Sequence, residues 1–514
     1  MSGPTSVALP PGQAELVLKT ARGRWVLLAT VLGSGMAQLD GTVVNVALPR
    51  LGANLHAGLT SLQWTLNAYT LTLSGLLLLG GSLGDRLGRR RIFVIGVLWF
   101  ALASAGCAAA PTAEVLIGMR ALQGVGAALL TPGSLAILEA VVRKSDRAAA
   151  VGAWSGLGGM ATALGPVLGG VLIGVAPWGW RLVFLLNLPL AVVVVIVSHR
   201  SVPETRDEQA TGRLDLPGAI YAALGLSALS YALTEGPQQG WPAGLLACAV
   251  AGLLMLAVFL FNEHRRSEPM MPLSLFRSHQ FSAANLVTFV VYAALAGALF
   301  LVPVQLQLVS GFSPVAAGSS LLPVTLLMLL LSSRMGRLAQ RIGPRWPMTF
   351  GPIVAGAGLA MLVRVGAGSD YLTGVLPAVL VFGVGLSATV APLTATVLAA
   401  APEHQVGVAS AVNNDVARTA GLLAVAVFPA LAGISQASYA DPVLLSTGFH
   451  HAVLIAAGMC VAGGVLSAVT IRRDVLDNAA APKAVAAAGT DVHSVVPAPL
   501  VHFDAGDQLS AEDL

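Results

Sequence analysis

The sequence predicts an all-α polytopic membrane protein, and three observations carry that prediction. Apolar runs of about 20 residues or more recur from end to end, the length an α-helix needs to cross roughly 30 Å of hydrocarbon. Hydrophobic residues make up 56% of the 514 and charged residues only 10%, with a mean hydropathy of +0.80. A soluble chain of that composition could not cover its surface with polar groups. The charges gather between the runs, most densely in Gly81-Ser-Leu-Gly84-Asp85-Arg86-Leu-Gly88-Arg89-Arg90-Arg91, whose composition reads as a tight turn joining two helices.

The chain parses into fourteen spans, near residues 25–48, 61–80, 92–110, 114–138, 150–173, 181–198, 216–235, 243–262, 283–308, 314–333, 346–365, 373–399, 411–433 and 449–471. Short cytoplasmic loops collect Lys and Arg. With the N-terminus inside, the outer loops hold only Arg50, Arg181 and Arg364, and Arg120 and Arg418 fall within spans. Both termini are then cytoplasmic. Residues 1–24 carry Lys19, Arg22 and Arg24 directly before span 1 and lack a signal-peptide pattern, so that span reads as retained. Residues 474–514 are rich in Ala, Pro and Val without a span-length run, and read as a disordered cytoplasmic tail.

The loop spacing recurs once. Gly336-Arg-Leu-Ala-Gln340-Arg-Ile-Gly343-Pro-Arg345 repeats Gly81 through Arg90, with Gln340 in the place of Asp85. The repeats follow spans 2 and 10, so the expected organisation is a six-helix half at 25–198, a loop and two inserted helices at 199–262, and a second half at 263–473. Parallel repeats of this kind place a substrate site near the membrane midplane, between the halves.

Ionisable residues inside spans are expensive and rare, which makes Asp40 the first candidate site residue. Out of water its ionised form is penalised, so it can take and release protons near neutral pH. An acid tied permanently to a partner is the alternative. Arg120 is as costly to bury and keeps its proton, so an acid must face it. Gln123 and Gly124 follow on the same helical face. Thr42 and Asn45 belong to the Asp40 region, with helix packing an equal role for Asn45. In span 13, Asn413, Asn414, Asp415 and Arg418 form a second polar group. Asp415 and Arg418 are three residues apart, and mutual neutralisation is the favoured expectation, a protonatable or cation-binding site the alternative. Glu139 and Glu235 sit at span ends and read as solvated. Gly165-Pro166 with Gly169 and Gly170 puts a helix breaker and three gaps on span 5, so that it can bend.

Together these residues resemble the fourteen-spanner drug:proton antiporter group of the major facilitator superfamily. The loop Gly81, Gly84, Asp85, Arg86, Gly88, Arg89 and Arg90 is similar to the family's signature between spans 2 and 3. Leu39-Asp40-Gly-Thr42-Val-Val-Asn45-Val-Ala-Leu-Pro49 is similar to its first-span motif, and Arg120-Ala-Leu-Gln123-Gly124-Val-Gly126 to the span-4 motif associated with proton transfer. Gly165-Pro166-Val-Leu-Gly169-Gly170 resembles the antiporter motif, although Ala161 stands where a glycine is expected. The run from Trp178 to Pro189 resembles the start of span 6, and Gln305, Gly311, Ser313-Pro314 and Ala317-Gly318 the region of spans 9 and 10. The resemblance implies that Arg120 tunes the proton affinity of Asp40, and that Asp85 makes contacts only while an inner gate is shut.

The expected activity is proton-coupled export of small amphipathic or cationic compounds by alternating access, as in multidrug or antibiotic efflux. The alternative is one dedicated metabolite on the same fold. Expected partners are a small-molecule substrate, protons and membrane lipid, with no nucleic acid and no obligate protein partner. No cofactor or metal is implied: Cys107, Cys248 and Cys460 lie singly in separate spans, and no Walker lysine or nucleophile elbow appears, which disfavours an enzyme or a primary pump. Arginine far outnumbers lysine, of which only Lys19, Lys144 and Lys483 occur. Abundant alanine and glycine add to this compositional hint of a bacterial cytoplasmic membrane.

Overall fold

A computed structural model describes residues 16–207, 215–266, 269–402 and 405–476. The tail beyond 476 lies outside the described residues, as do residues 1–15. Among the described residues, fourteen helices are long and apolar enough to cross a membrane. They are α1 Ala21–Leu55, α2 Leu59–Leu87, α3 Arg89–Ala109, α4 Ala113–Val141, α5 Lys144–Gly174, α6 Trp180–Ser201, α7 Leu216–Gln239, α8 Ala243–Arg265, α9 His279–Leu308, α10 Pro314–Ile342, α11 Arg345–Arg364, α12 Tyr371–Ala399, α13 Val406–Leu431 and α14 Pro442–Thr470. Each matches one expected span, and most run longer at one or both ends.

Many helices start where a short polar side chain accepts from the free backbone donors of the first turn. Thr20 caps α1, Thr112 α4, Asp215 α7, Ser278 α9, Ser313 α10, Asp370 α12 and Asp441 α14. The loop at 81–91 is a correction to the expected turn. Helix α2 continues to Leu87 and α3 begins at Arg89, so Gly88 alone makes the bend. Its φ of +111° is a backbone region that L side chains rarely adopt. The second repeat bends likewise between α10 and α11, where Gly343 has φ +83°. The duplicated spacing is thus a duplicated corner.

Packing partners repeat as well. Helices α1 and α5, α2 and α4, α3 and α4, and α1 and α6 pack in the first half. Their counterparts eight helices on, α9 and α13, α10 and α12, α11 and α12, and α9 and α14, pack in the second. The halves meet along two seams, α5 with α10 and α2 with α13, and α1 also touches α9 between them. The inserted hairpin α7–α8 lies over the second seam, with α7 against both α2 and α13. Leu226 of α7 joins Leu71 of α2 and Leu422 of α13 in one apolar cluster. A Cβ on Gly75 would stand 2.9 Å from Ala223. Asp215 ties the hairpin at its base, accepting from Asn262 Nδ2 at 3.2 Å and facing Arg266 at 3.4 Å.

Candidate functional site: a buried carboxylate network beside a one-sided cleft

Asp40 is fully enclosed, and so are the groups around it. Its Oδ2 pairs with Arg120 Nη1, while Oδ1 accepts from Gln123 Nε2 at 2.9 Å and from Asn187 Nδ2 at 3.2 Å. Asp40, Gln123, Asn187 and Ser104 are 0% exposed and Arg120 1%. Ser104 Oγ accepts from both amides, at 3.1 and 2.9 Å, and donates to the Phe184 carbonyl. Arg120 also reaches Gln123 Oε1 at 2.6 Å and donates from Nε to the Thr65 carbonyl at 3.0 Å. Its guanidinium lies 4.3 Å from the Tyr69 ring centroid. Five helices, α1, α2, α3, α4 and α6, therefore converge on one carboxylate. The acid expected to face Arg120 is Asp40, and Gly124 lets α4 approach the Tyr69 carbonyl of α2.

Asn187, Ser104 and Tyr69 were not singled out from the sequence as site residues. Asn187 owes its place to a break in α6, whose helix stops at Leu185 and restarts at Asn187. Asn187 falls in the Trp178–Pro189 run quoted for its resemblance, but nothing there marks its amide as facing Asp40.

The second feature is a seam between the halves that is packed at one end and open at the other. On α5, Gly152, Gly156, Gly159, Gly170 and Gly174 share one face, within about 60° at 3.6 residues per turn. Toward one end, Cβ atoms at Gly170 and Gly174 would meet Pro314 and Val315 of α10. Toward the end bearing the arginine-rich loops, Gly152, Gly156 and Gly159 look onto open space. Helix α13 repeats the contrast: Leu422 is packed and Gly407 is open. The closed end is clasped by amides: Gln63 Nε2 donates to the Val425 carbonyl at 2.7 Å, Gln307 Nε2 to that of Val46 at 2.9 Å, and Gln436 Oε1 accepts from Leu59 N at 2.7 Å. Gly318 touches the Pro166 carbonyl there, and Gly165 touches Thr42 Oγ1. The four residues Gly165, Pro166, Gly169 and Gly170 thus serve close helix contact, and α5 runs unbroken through them.

Thr42 hydroxyl donates to Thr162 and Leu39 carbonyls, and Asn45 is half-buried one turn on. Asn413 donates to Asn285 and Thr288 of α9, which turns its amide away from the cleft. Asn414 is exposed. Among the described residues Asp415 and Arg418 form no hydrogen bond or ion pair with each other, and Asp415 Oδ1 and Arg418 Nε are buried without a hydrogen-bond partner. The spacing permits the expected pair, but the side chains do not close it. Glu139 is exposed, whereas Glu235 accepts from Trp64 Nε1 at 3.3 Å.

At the Gly88 corner, Asp85 pairs with Arg89 at 2.8 Å, within its own repeat. Glu204, arriving after α6, accepts from the backbone N–H of Arg90 at 3.0 Å and Arg91 at 3.2 Å. It caps the positive end of α3, a role nothing in the local sequence marks. Backbone bonds from Arg89 to Thr205 and from Asp207 to Asp85 complete the clamp.

A multi-pass membrane transporter is the class that this architecture defines. The chain belongs to the Major Facilitator Superfamily, whose profile matches residues 30–426. It is 37% identical over 402 residues to a methylenomycin A resistance protein of Streptomyces coelicolor, covering 78% of this chain and 84% of that one. It is 34% identical over 476 residues to the puromycin resistance protein pur8 of Streptomyces alboniger, with 91% and 94% covered. It is also 36% identical over 393 residues to the multidrug resistance protein Stp of Mycobacterium tuberculosis, with 76% and 72% covered. Among solved structures, an inward-facing bacterial homolog of the lysosomal transporter Spinster aligns with a TM-score of 0.66 at 16% identity, covering 90% of this chain and 99% of that chain. That likeness concerns the fold.

Proposed function

We propose that the protein exports small amphipathic or cationic compounds of the drug and antibiotic class in exchange for protons, with its arginine-rich face in the cytoplasm. Asp40 carries the reading. A fully buried carboxylate whose counter-charge is Arg120 has two self-consistent states. Ionised, it is saturated by Arg120, Gln123 and Asn187. Protonated, it loses its hold on Arg120, which keeps its charge and falls back on Gln123 Oε1, the Thr65 carbonyl and the Tyr69 ring. Because the carboxylate is held on α1 and the guanidinium on α4, that exchange changes how these helices pack. A proton entering or leaving thereby biases the cleft toward one side of the membrane.

The relatives with resistance names support the substrate class, and the cleft open at the arginine-rich end supports loading from the cytoplasm. Inverted vesicles with an imposed proton gradient, assayed with ethidium and puromycin, test the reading. Wild-type protein should pump both and Asp40→Asn neither. Full pumping by Asp40→Asn would remove Asp40 as the proton carrier.

A further inference from the structure

The face of α13 opposite Asn413 carries Gly407, Asn414, Asp415, Arg418 and Leu422 within about 100° of one another at 3.6 residues per turn. Leu422 fixes where that face looks, because it packs on Leu71 of α2 and Leu226 of α7. Gly407 and Asn414 are open. Asp415 and Arg418, half-buried on that face, therefore sit between the open Gly407 end and the packed Leu422 end of α13. Asn413 cannot bridge them, since it donates to Asn285 and Thr288 on the far side.

Asp415 Oδ1 and Arg418 Nε are buried without a hydrogen-bond partner, and such atoms are costly unless something answers each of them. They lie on one helical face without closing on each other, and thus present a fixed pair of opposite charges side by side. We infer that Asp415 and Arg418 recognise amphoteric compounds, with a basic amine set against Asp415 and a carboxylate or enolate against Arg418. This rests on the export reading for its biological setting. A purely cationic ligand answers only Asp415 and leaves Arg418 unmet. An anion does the reverse. An amphoteric ligand answers both.

The test is binding to the full-length protein in lipid nanodiscs, read by fluorescence anisotropy with empty discs as the blank. Three xanthene dyes differ mainly in charge: rhodamine B, a zwitterion, its ethyl ester, a cation, and fluorescein, an anion. Wild-type protein should bind rhodamine B roughly tenfold more tightly than the ester, the gain expected of one added charge-assisted contact. Arg418→Gln should abolish that preference and leave ester binding unchanged. Asp415→Asn should weaken the ester and rhodamine B while sparing fluorescein. Equal wild-type affinity for the two rhodamines, no measurable binding of either, or parallel loss of all dyes in both variants overturns the inference. The wild-type ratio needs no variant to fold. Binding in discs also needs no proton gradient, so failure of export and failure of charge recognition register separately.

Discussion

Asn187 Nδ2 stands 3.2 Å from Asp40 Oδ1 and 2.9 Å from Ser104 Oγ, so the break in α6 delivers an amide to the buried carboxylate. Asn187→Ala removes one of three donors without creating a buried charge. Proton-driven efflux should fall about tenfold or more at unchanged protein level, the loss of a hydrogen bond to a charged group being about 1.5 to 3 kcal/mol. Efflux normalised to immunoblot signal checks this, and undiminished efflux would show that Asn187 only packs α6.

Asp40→Asn leaves Arg120 buried without its counter-charge, a loss on the order of 3 to 5 kcal/mol. The melting temperature of the detergent-purified variant should drop. Combining it with Arg120→Gln should restore much of that stability and none of the transport. A double variant that pumps would place proton coupling elsewhere.

Gly318 packs on the Pro166 carbonyl and Gly170 on Pro314, which brings α5 and α10 together at the closed end of the cleft. Gly318→Val should force the two apart and bias the protein toward the state open at that end. Thiol labelling of a cysteine introduced at Gln63, beside the Val425 and Ala426 carbonyls, should rise several-fold in this background. Unchanged labelling would mean that the seam absorbs the extra volume.

Glu204→Ala removes the carboxylate that accepts from Arg90 N and Arg91 N. An N-terminal cap contributes about 1 kcal/mol, so the change should raise hydrogen exchange at Arg90 and Arg91 with little effect on the far end of α3. Exchange spread along all of α3 would contradict a local capping role.

Asp85→Asn weakens the 2.8 Å pair with Arg89 beside the corner. If Asp85 also serves the shut inner gate, ligand binding should persist while transport slows and cysteines on the cytoplasmic half of α5 label more often. Normal transport with normal labelling would leave Asp85 an orienting charge.

The sequence made the spans and the Asp40, Arg120 and Gln123 set legible for one reason: charge inside an apolar run is costly, so it stands out and needs a partner. Asn187 and Ser104 stayed hidden because small polar residues are ordinary in membrane helices and cost little there. The 81–91 stretch misled through its glycines. Gly and charge read as a turn in soluble chains, but α2 continues through Gly80, Gly81 and Gly84, with Gly80 packed on the Ala128 carbonyl of α4. Asp415 and Arg418 show the complementary limit, since a three-residue spacing brings side chains within reach without deciding where each one turns.

The hairpin α7–α8 has a consequence for traffic through the bilayer itself. The α5/α10 and α2/α13 seams are counterparts under the eight-helix repeat, yet α7 shutters the second, with Leu226 wedged against Leu71 and Leu422 and Trp64 tied to Glu235. A twofold pattern with one doorway blocked is a one-doored vestibule. Among the described residues the α5/α10 seam carries no such cover, and the open glycines of α5 lie beyond its packed end.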